Sequence, residues 1–349
     1  MGKSVVLVLV LTLLLIFSLL FFSNVIGLHT THAQSLDGNI YLNDEKNQVV
    51  NGASQVTLVN CTNITVTNVH GKILLIDSDY CKIYNNDILG VFGDPDGVND
   101  EGCIALFRSD YNDIHDNLLS NSDRGILLNV DLPTDSKFGE SKYNKIYSNN
   151  ISNTTIGIDL QSGFSNNVIY SNNIIECKSG ITMCNSHLNT IFQNTIKNSG
   201  IQAIFLRRAP ENNVFYNNNF LNNTRVWENH ESLPNLRNMY SVNNTWDGGY
   251  SIGGNYWSDY NGTDNNMDGI GDTSYTVYEN FTDRYPLMVP YGNDNTNLPS
   301  PTPIPTTTPQ TTPAAEPFLT PLVIAAVAIV AVASVALLVY FKKRKRAAG

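Results

Sequence analysis

Carboxylates set in loops beside basic side chains are the equipment of general acid/base chemistry on sugar chains and of cation binding. Two stretches of this chain carry them. GDPDGVND (93–100) holds Asp94, Asp96 and Asp100 and runs into Glu101; DLPTDSKFG (131–139) holds Asp131 and Asp135 and runs into Glu140. Asp159 and Arg207, which alternate with apolar strand residues, and the turn residue Arg124 could face one groove with these acids. No pair has a spacing that fixes a catalytic separation, so the acids read equally as solvated loop residues. DNNMDGIGD (264–272) offers a different chemistry. Asp264, Asn266, Asp268 and Asp272 fall at positions 1, 3, 5 and 9 of an EF-hand-like loop, with the Ile270 carbonyl at position 7 and Gly269 at the turn. Position 12 is Tyr275 and not the bidentate Glu, so a calcium site there would borrow Asp259 or Asp283; the other reading is a polar Asx-turn loop. Trp246, Tyr250, Tyr256, Trp257 and Tyr260 crowd the same region, where Trp246, Tyr256 and Trp257 are candidates for stacking on sugar rings. Because the crowd follows the last repeat directly, closing an open end of the fold is the favoured role.

The elements that would position these groups are repeats. The apolar residue of an N-x-[IVF]-x-x-N pattern recurs at Ile83, Ile114, Ile146, Ile169, Ile191 and Phe215, at intervals of 31, 32, 23, 22 and 24 residues. The basic period is therefore near 23, and the two long intervals contain the acidic loops. A small residue opens the next apolar stretch at Gly102, Gly125, Gly157, Gly180 and Ala203. Apolar side chains then alternate, as in Ile126 and Leu128, Ile158 and Leu160, Ile181 and Met183, Ile204 and Leu206. Alternation over four to six residues is strand periodicity. Short strands at this period predict an all-β solenoid, a parallel β-helix over about 56–226, with equivalent residues about 4.8 Å apart. Stacking accounts for Asn112, Asn144, Asn167, Asn189 and Asn213 as an amide ladder at one turn, with Cys81 in the first coil's place.

The ends have another character. Lys3, an apolar run from Val5 to Phe22 and the THA before Gln34 read as a signal peptide over 1–33. Pro- and Thr-rich 293–317 reads as a stalk, 318–341 as a transmembrane helix and 342–349, with KKRKR, as a cytoplasmic tail. The expected body is thus an ectodomain over 34–292 at the cell surface, held by a single span. The chain has 21 Lys plus Arg against 31 Asp plus Glu, and six of the basic residues lie in the terminal segments. So acidic a body disfavours nucleic acid and anionic lipid as partners and favours cations. Of five cysteines, Cys61 and Cys81 are the pair a disulfide would join; Cys103 reads as a small core residue level with Ile126 and Ile158. Sequons stand at Asn60, Asn63, Asn150, Asn153, Asn222, Asn243, Asn261 and Asn280.

Residues 243–288 carry GGNYWSDY, DGIGD and a terminal DRYPLM. This block resembles the closing segment of NosD-like right-handed parallel β-helix proteins of archaeal cell surfaces, within the wider pectate-lyase-like group of β-helices. The resemblance implies a right-handed coil and three functions: a binding or structural module meeting glycans or envelope proteins, a polysaccharide lyase or glycosidase, or an accessory protein handling copper. Copper needs clustered His, Met or Cys. His70, His115, His187 and His230 fall in different repeats, so the metal-handling reading comes last and the binding module first.

Overall fold

The structure, a computed structural model, describes residues 38–92, 102–129, 139–161, 163, 165–224, 226–229, 243–278 and 281–292. The signal peptide, stalk, transmembrane helix and tail expected from the sequence lie outside these residues, as do Asp94, Asp96, Asp100, Glu101, Asp131, Asp135 and His230. Among the described residues no helix is long and apolar enough to cross a membrane.

The described chain forms a parallel β-helix with three faces. Nine strands, from Asn39–Asn43 to Val226–Asn229, make the first sheet; eight, from Val49–Ala53 to Val214–Tyr216, the second; seven, from Asp87–Leu89 to Tyr256–Trp257, the third. Neighbours within each sheet are parallel and follow one another coil by coil, consistent with a right-handed winding. The anchor residues form one internal column in register, Ile83–Ile114–Ile146–Ile169–Ile191–Phe215, all fully buried. The alternating pairs align as expected, Ile126–Ile158–Ile181–Ile204 beside Leu128–Leu160–Met183–Leu206. The two acidic segments fall between regular strands, one after Asp87–Leu89 and one after Arg124–Asn129.

Coiling begins earlier than the expected 56. Asn39–Asn43 pairs with Gln55–Val59 and Val49–Ala53 with Thr65–Val69, extending the anchor column back through Val66 to Val50. These first coils repeat every 16 or 17 residues because they have no strand in the third sheet, which starts at Asp87. The asparagine anchor pattern is absent there: two positions before Val66 stands Ile64, and before Val50, Gln48.

Two amide ladders run through the turns. The expected one runs through Asn112, Asn144, Asn167, Asn189 and Asn213 and continues to Asn244, each rung a side-chain bond except that Asn167 reaches Asn189 Oδ1 through its backbone N–H. Its members are fully buried up to Asn213, so its work is structural. A second ladder, unforeseen, passes Asn86, Asn117, Asn149, Asn172, Asn194, Asn218 and Asn255, each Nδ2 donating to the next Oδ1 at 2.8–3.0 Å. Each rung also satisfies a backbone N–H of its neighbour, for example Asn172 N to Asn194 Oδ1 at 3.0 Å, which keeps the corners free of orphan donors.

Three local expectations need correction. Cys61 and Cys81 are free thiols, as are the other three cysteines. Thr62 pairs with Asp79 and Thr65 with Lys82, so Cys61 stands level with Ser78 and Cys81 with Ile64, three residues out of step. Arg124 pairs with Gly102 and Ile126 with Ile104, so Cys103, and not Gly102, shares the small-residue column with Gly125. Cys103 is nonetheless a buried core residue. That column is small because the corner leaves no space: a Cβ on Gly157 would lie 2.6 Å from the Gly180 carbonyl oxygen and 2.6 Å from Ile174 Cγ2.

The closing block is the solenoid's last, incomplete coil. Val214 bridges Thr245, which sets Trp246 on Phe215 with ring centroids 4.2 Å apart; Trp257 lies on Phe220 at 4.3 Å. A short antiparallel pair, Tyr275–Tyr278 with Phe281–Asp283, lays Tyr275 on Trp257 at 4.5 Å. The apolar columns thus end against aromatic rings.

Candidate binding groove

The outer face of the first sheet changes character along the axis. Toward the N-terminal end it carries Leu74, Ile76, Ala105, Phe107 and Leu127, packed as a small apolar cluster of their own. One rung past Leu127 stands Asp159, and from there polar and charged side chains mix with apolar ones. Three outward columns follow in register: Asp159–Thr182–Phe205 in the middle, Ile156–Ser179–Gln202 on one side and Gln161–Cys184–Arg207 on the other. Arg124 begins the Gln202 column one coil earlier, and Lys178 and Arg208 stand at the rims. Together these side chains line a groove of about 330 Å³ that crosses successive coils along the solenoid.

Its geometry joins three residues singled out in the sequence, Arg124, Asp159 and Arg207. The Asp159 carboxylate is buried although it faces outward; Arg124 Nε donates to its Oδ2 at 2.7 Å and Gln161 Nε2 at 2.8 Å. The Arg207 guanidinium lies over the Phe205 ring, 5.7 Å from its centroid. Asp159 is the single carboxylate among the described residues of the groove. Glycoside hydrolysis uses a pair of carboxyl groups, of which the described residues of the groove supply this one. Glu140 stands apart, bound by Lys142 Nζ at 2.7 Å and Ser165 Oγ at 3.2 Å. Thr182, Gln202, Ser179 and Lys178 were not foreseen. Their signal was available as the outward alternates of the same strands, but outward polar residues are ordinary until a register shows which share a rung.

The other candidates take different roles. Trp246 and Trp257 are buried in the cap, so neither offers a ring face to a sugar; half-buried Tyr256 lies between them in sequence, on the last strand of the third sheet. In the DNNMDGIGD loop the oxygens turn to backbone N–H groups: Asp264 Oδ2 accepts from Gly269 N at 2.9 Å, Asp268 Oδ1 from Ile270 N at 2.9 Å and Asp272 Oδ2 from Asn265 N at 2.8 Å. Asn266 Nδ2 and the Tyr250 hydroxyl both donate to Asp268 Oδ2. Asx-turn contacts of this kind shape the loop. On the second sheet, Tyr84, His115, Tyr147, Tyr170, Phe192 and Tyr216 stack in one ladder with centroids 4.7–5.1 Å apart. Their faces cover one another, which leaves edges, not platforms, at the surface.

A family model described as "Periplasmic copper-binding protein (NosD)" matches residues 16–156 and 136–262, more than half of the chain. The chain belongs to the NosD family. No curated protein matches it. Two solved structures of the periplasmic alginate epimerase AlgG, one of them a mutant, are similar to it at 16% and 15% identity, with TM-scores of 0.36 and 0.34. In each case the match covers 54% of this chain and 59% of the epimerase chain. Copper, the metal in the NosD family's description, finds no donor set in the described residues. No group of three or more His, Cys, Asp or Glu side chains there is placed to hold a metal ion. His115 is held between Tyr84 and Tyr147 with Nδ1 2.7 Å from Asp116 Oδ2, while His70 Nδ1 lies 3.3 Å from the Asp87 carbonyl. All five thiols are buried, and burial pushes Cys81 up to about 12 and Cys103 up to about 11, against the thiolate that would bind a soft metal.

Proposed function

We propose that this NosD-family solenoid is a binding module that works outside the cytoplasm and holds an extended glycan along the outer face of its first sheet. The observation that carries the reading is the groove itself. It runs across coils, so that a chain lying along the axis meets a new side chain of each column about every 4.8 Å, and it combines an apolar ring, Phe205, with buried hydroxyl and amide groups, Thr182 and Gln202. Concave sites with a few convergent polar groups are the usual form of a ligand site. No step is drawn through copper, since the described side chains do not gather around one point.

The reading is tested with a glycan array probed by the full-length chain in a non-ionic detergent, beside Phe205→Ala and Gln202→Leu variants. A class of oligosaccharide retained by the parent and lost by both variants supports it. Retention of nothing, or retention untouched by either variant, removes the groove as a glycan site.

A further inference from the structure

We propose that the groove selects acidic glycans, chains of sugar carrying carboxylate or sulfate groups, over neutral ones. The proposal rests on the glycan reading above and adds the ligand's charge. Among the described residues four cations, Arg124, Lys178, Arg207 and Arg208, stand around a single carboxylate in a chain whose formal charge is −10. Arg124 is spent on Asp159. Lys178, Arg207 and Arg208 ion-pair with no carboxylate among the described residues, and Lys178 and Arg208 are exposed. On an acidic protein the local field decides at short range, because the Debye length at physiological salt is about 8 Å.

A second observation points to hydroxyls beside the charge. Gln202 and Thr182 are 4% and 3% exposed. Gln202 Nε2 donates to Ser179 Oγ at 2.8 Å, whereas Gln202 Oε1 and Thr182 Oγ1 have no hydrogen-bond partner among the described residues. Buried polar atoms left unmatched are costly to the fold, and one acceptor and one hydroxyl left so in a groove mark where a ligand's own hydroxyls complete the set. A simple inorganic anion at neutral pH offers Gln202 Oε1 little to accept; a neutral sugar offers the three cations acceptor oxygens but no counter-charge. A hydroxylated anion satisfies both. The arrangement in adjacent columns spreads these contacts over neighbouring coils and so over consecutive sugar residues.

The experiment measures the affinity of the full-length chain in non-ionic detergent for three sets of oligosaccharides of equal length: a polyuronate, a sulfated glycan and a neutral glycan. Each is measured at low and high salt and with Lys178→Gln, Arg207→Gln and Arg208→Gln variants, whose melting temperatures report that the fold persists. The expected result is binding of an acidic set at least about tenfold tighter than the neutral set, weakened about tenfold by each Arg substitution and reduced by salt. Which acidic set binds identifies carboxylate or sulfate as the charge. Equal binding of neutral and acidic sets, unmoved by the three variants, overturns the charge selection and leaves the glycan reading in place. Acidic binding that persists in all three variants moves the site elsewhere and also overturns the proposal. Binding of none of the sets ends both readings together.

Discussion

Asp283, from the DRYPLM string, is the group whose titration should dominate the stability of the cap. Its carboxylate occupies the next rung of the second asparagine ladder: Asn255 N and Nδ2 donate to Oδ2 at 2.7 and 3.3 Å, Trp257 Nε1 at 2.8 Å, and Tyr285 N donates to Oδ1 at 3.1 Å. Burial pushes the carboxyl up, the hydrogen bonds pull it down, and burial wins, leaving it at about 6 against an ordinary 3.8. A carboxyl raised in the folded state binds its proton there first, so its contribution is fully present below about pH 3.8 and is lost as pH rises through 6. The difference corresponds to about 3 kcal/mol, or roughly 6–12 °C in melting temperature for a body of this size. Other carboxyls titrate as well. Asp79 and Asp110 are raised by burial and act in the same direction; at Asp247 burial is outweighed by hydrogen bonds from Arg284 and Gly249, which lower it. Asp283→Asn removes the one titrating group: its amide oxygen can still accept from Asn255, and the acceptor that Tyr285 N loses to the NH₂ is a cost that does not change with pH. Melting curves of the parent and Asp283→Asn between pH 4 and 7, in the same detergent, should converge or separate by this amount, the parent gaining on the variant as pH falls. Parallel profiles, or a parent that loses ground in acid, would refute the reasoning and show that the four donors hold the carboxylate ionised.

The remaining predictions concern the coil. Ile169→Asp places a charge in the fully buried anchor column and should cost more than about 4 kcal/mol or abolish folding, read by denaturant unfolding; a variant that melts like the parent would disprove the register. Asn194→Leu leaves Asn172 N and Nδ2 and the Ile169 carbonyl without their partner, at about 1–3 kcal/mol for each orphaned group, whereas exposed Asn39→Leu, on the first strand, should lie within about 1 kcal/mol of the parent. Gly157→Val drives a side chain into the Gly180 carbonyl and Ile174 and should lower stability by at least about 1–3 kcal/mol; Gly200→Ala, whose Cβ would meet nothing nearer than Lys178 Cα at 4.0 Å, should be near neutral by the same measurement.

How far the sequence reveals this molecule depends on whether a position repeats. Ile83 to Phe215 could be aligned before any coordinates because each coil poses the same steric problem to the same residue, and the answer is written six times. The ladder from Asn112 to Asn213 is readable for the same reason. The second ladder was equally repeated but followed the anchor by three residues inside the very pattern that defined it, so its asparagines served as punctuation and their bonding went unread. The small-residue column was found with one member misplaced, Gly102 for Cys103, because a glycine attracts attention where the corner asks only for a small side chain. The coils before 56 were hidden by their 16- and 17-residue spacing and by Ile64 and Gln48 in the asparagine's place. Each failure marks a place where the physical demand is shared but the residue type is not.

The groove could be read only in part, and the reason is the converse. Function departs from the repeat, since a ligand must be met by different side chains on successive rungs. Asp159, Thr182 and Phe205 occupy one column and share no chemistry, and neither do Gln161, Cys184 and Arg207. From sequence, Asp159 and Arg207 were noticed through their charge on otherwise apolar strands, whereas Thr182 and Gln202 were indistinguishable from solvated alternates until the register showed them beside each other. In the closing block the strongest motif turned out to be architecture. Asp283 ends a ladder, Arg284 grips Asp247 with Nε and Nη2 at 2.9 and 2.7 Å, and Leu287 is buried beneath Tyr256 and Ile270. A solenoid cannot leave its last amide donors and apolar columns open, so DRYPLM answers a demand that every such coil makes once. The most recognisable string of the chain therefore speaks for its fold, and its specificity has to be sought in the columns where the repeat is broken.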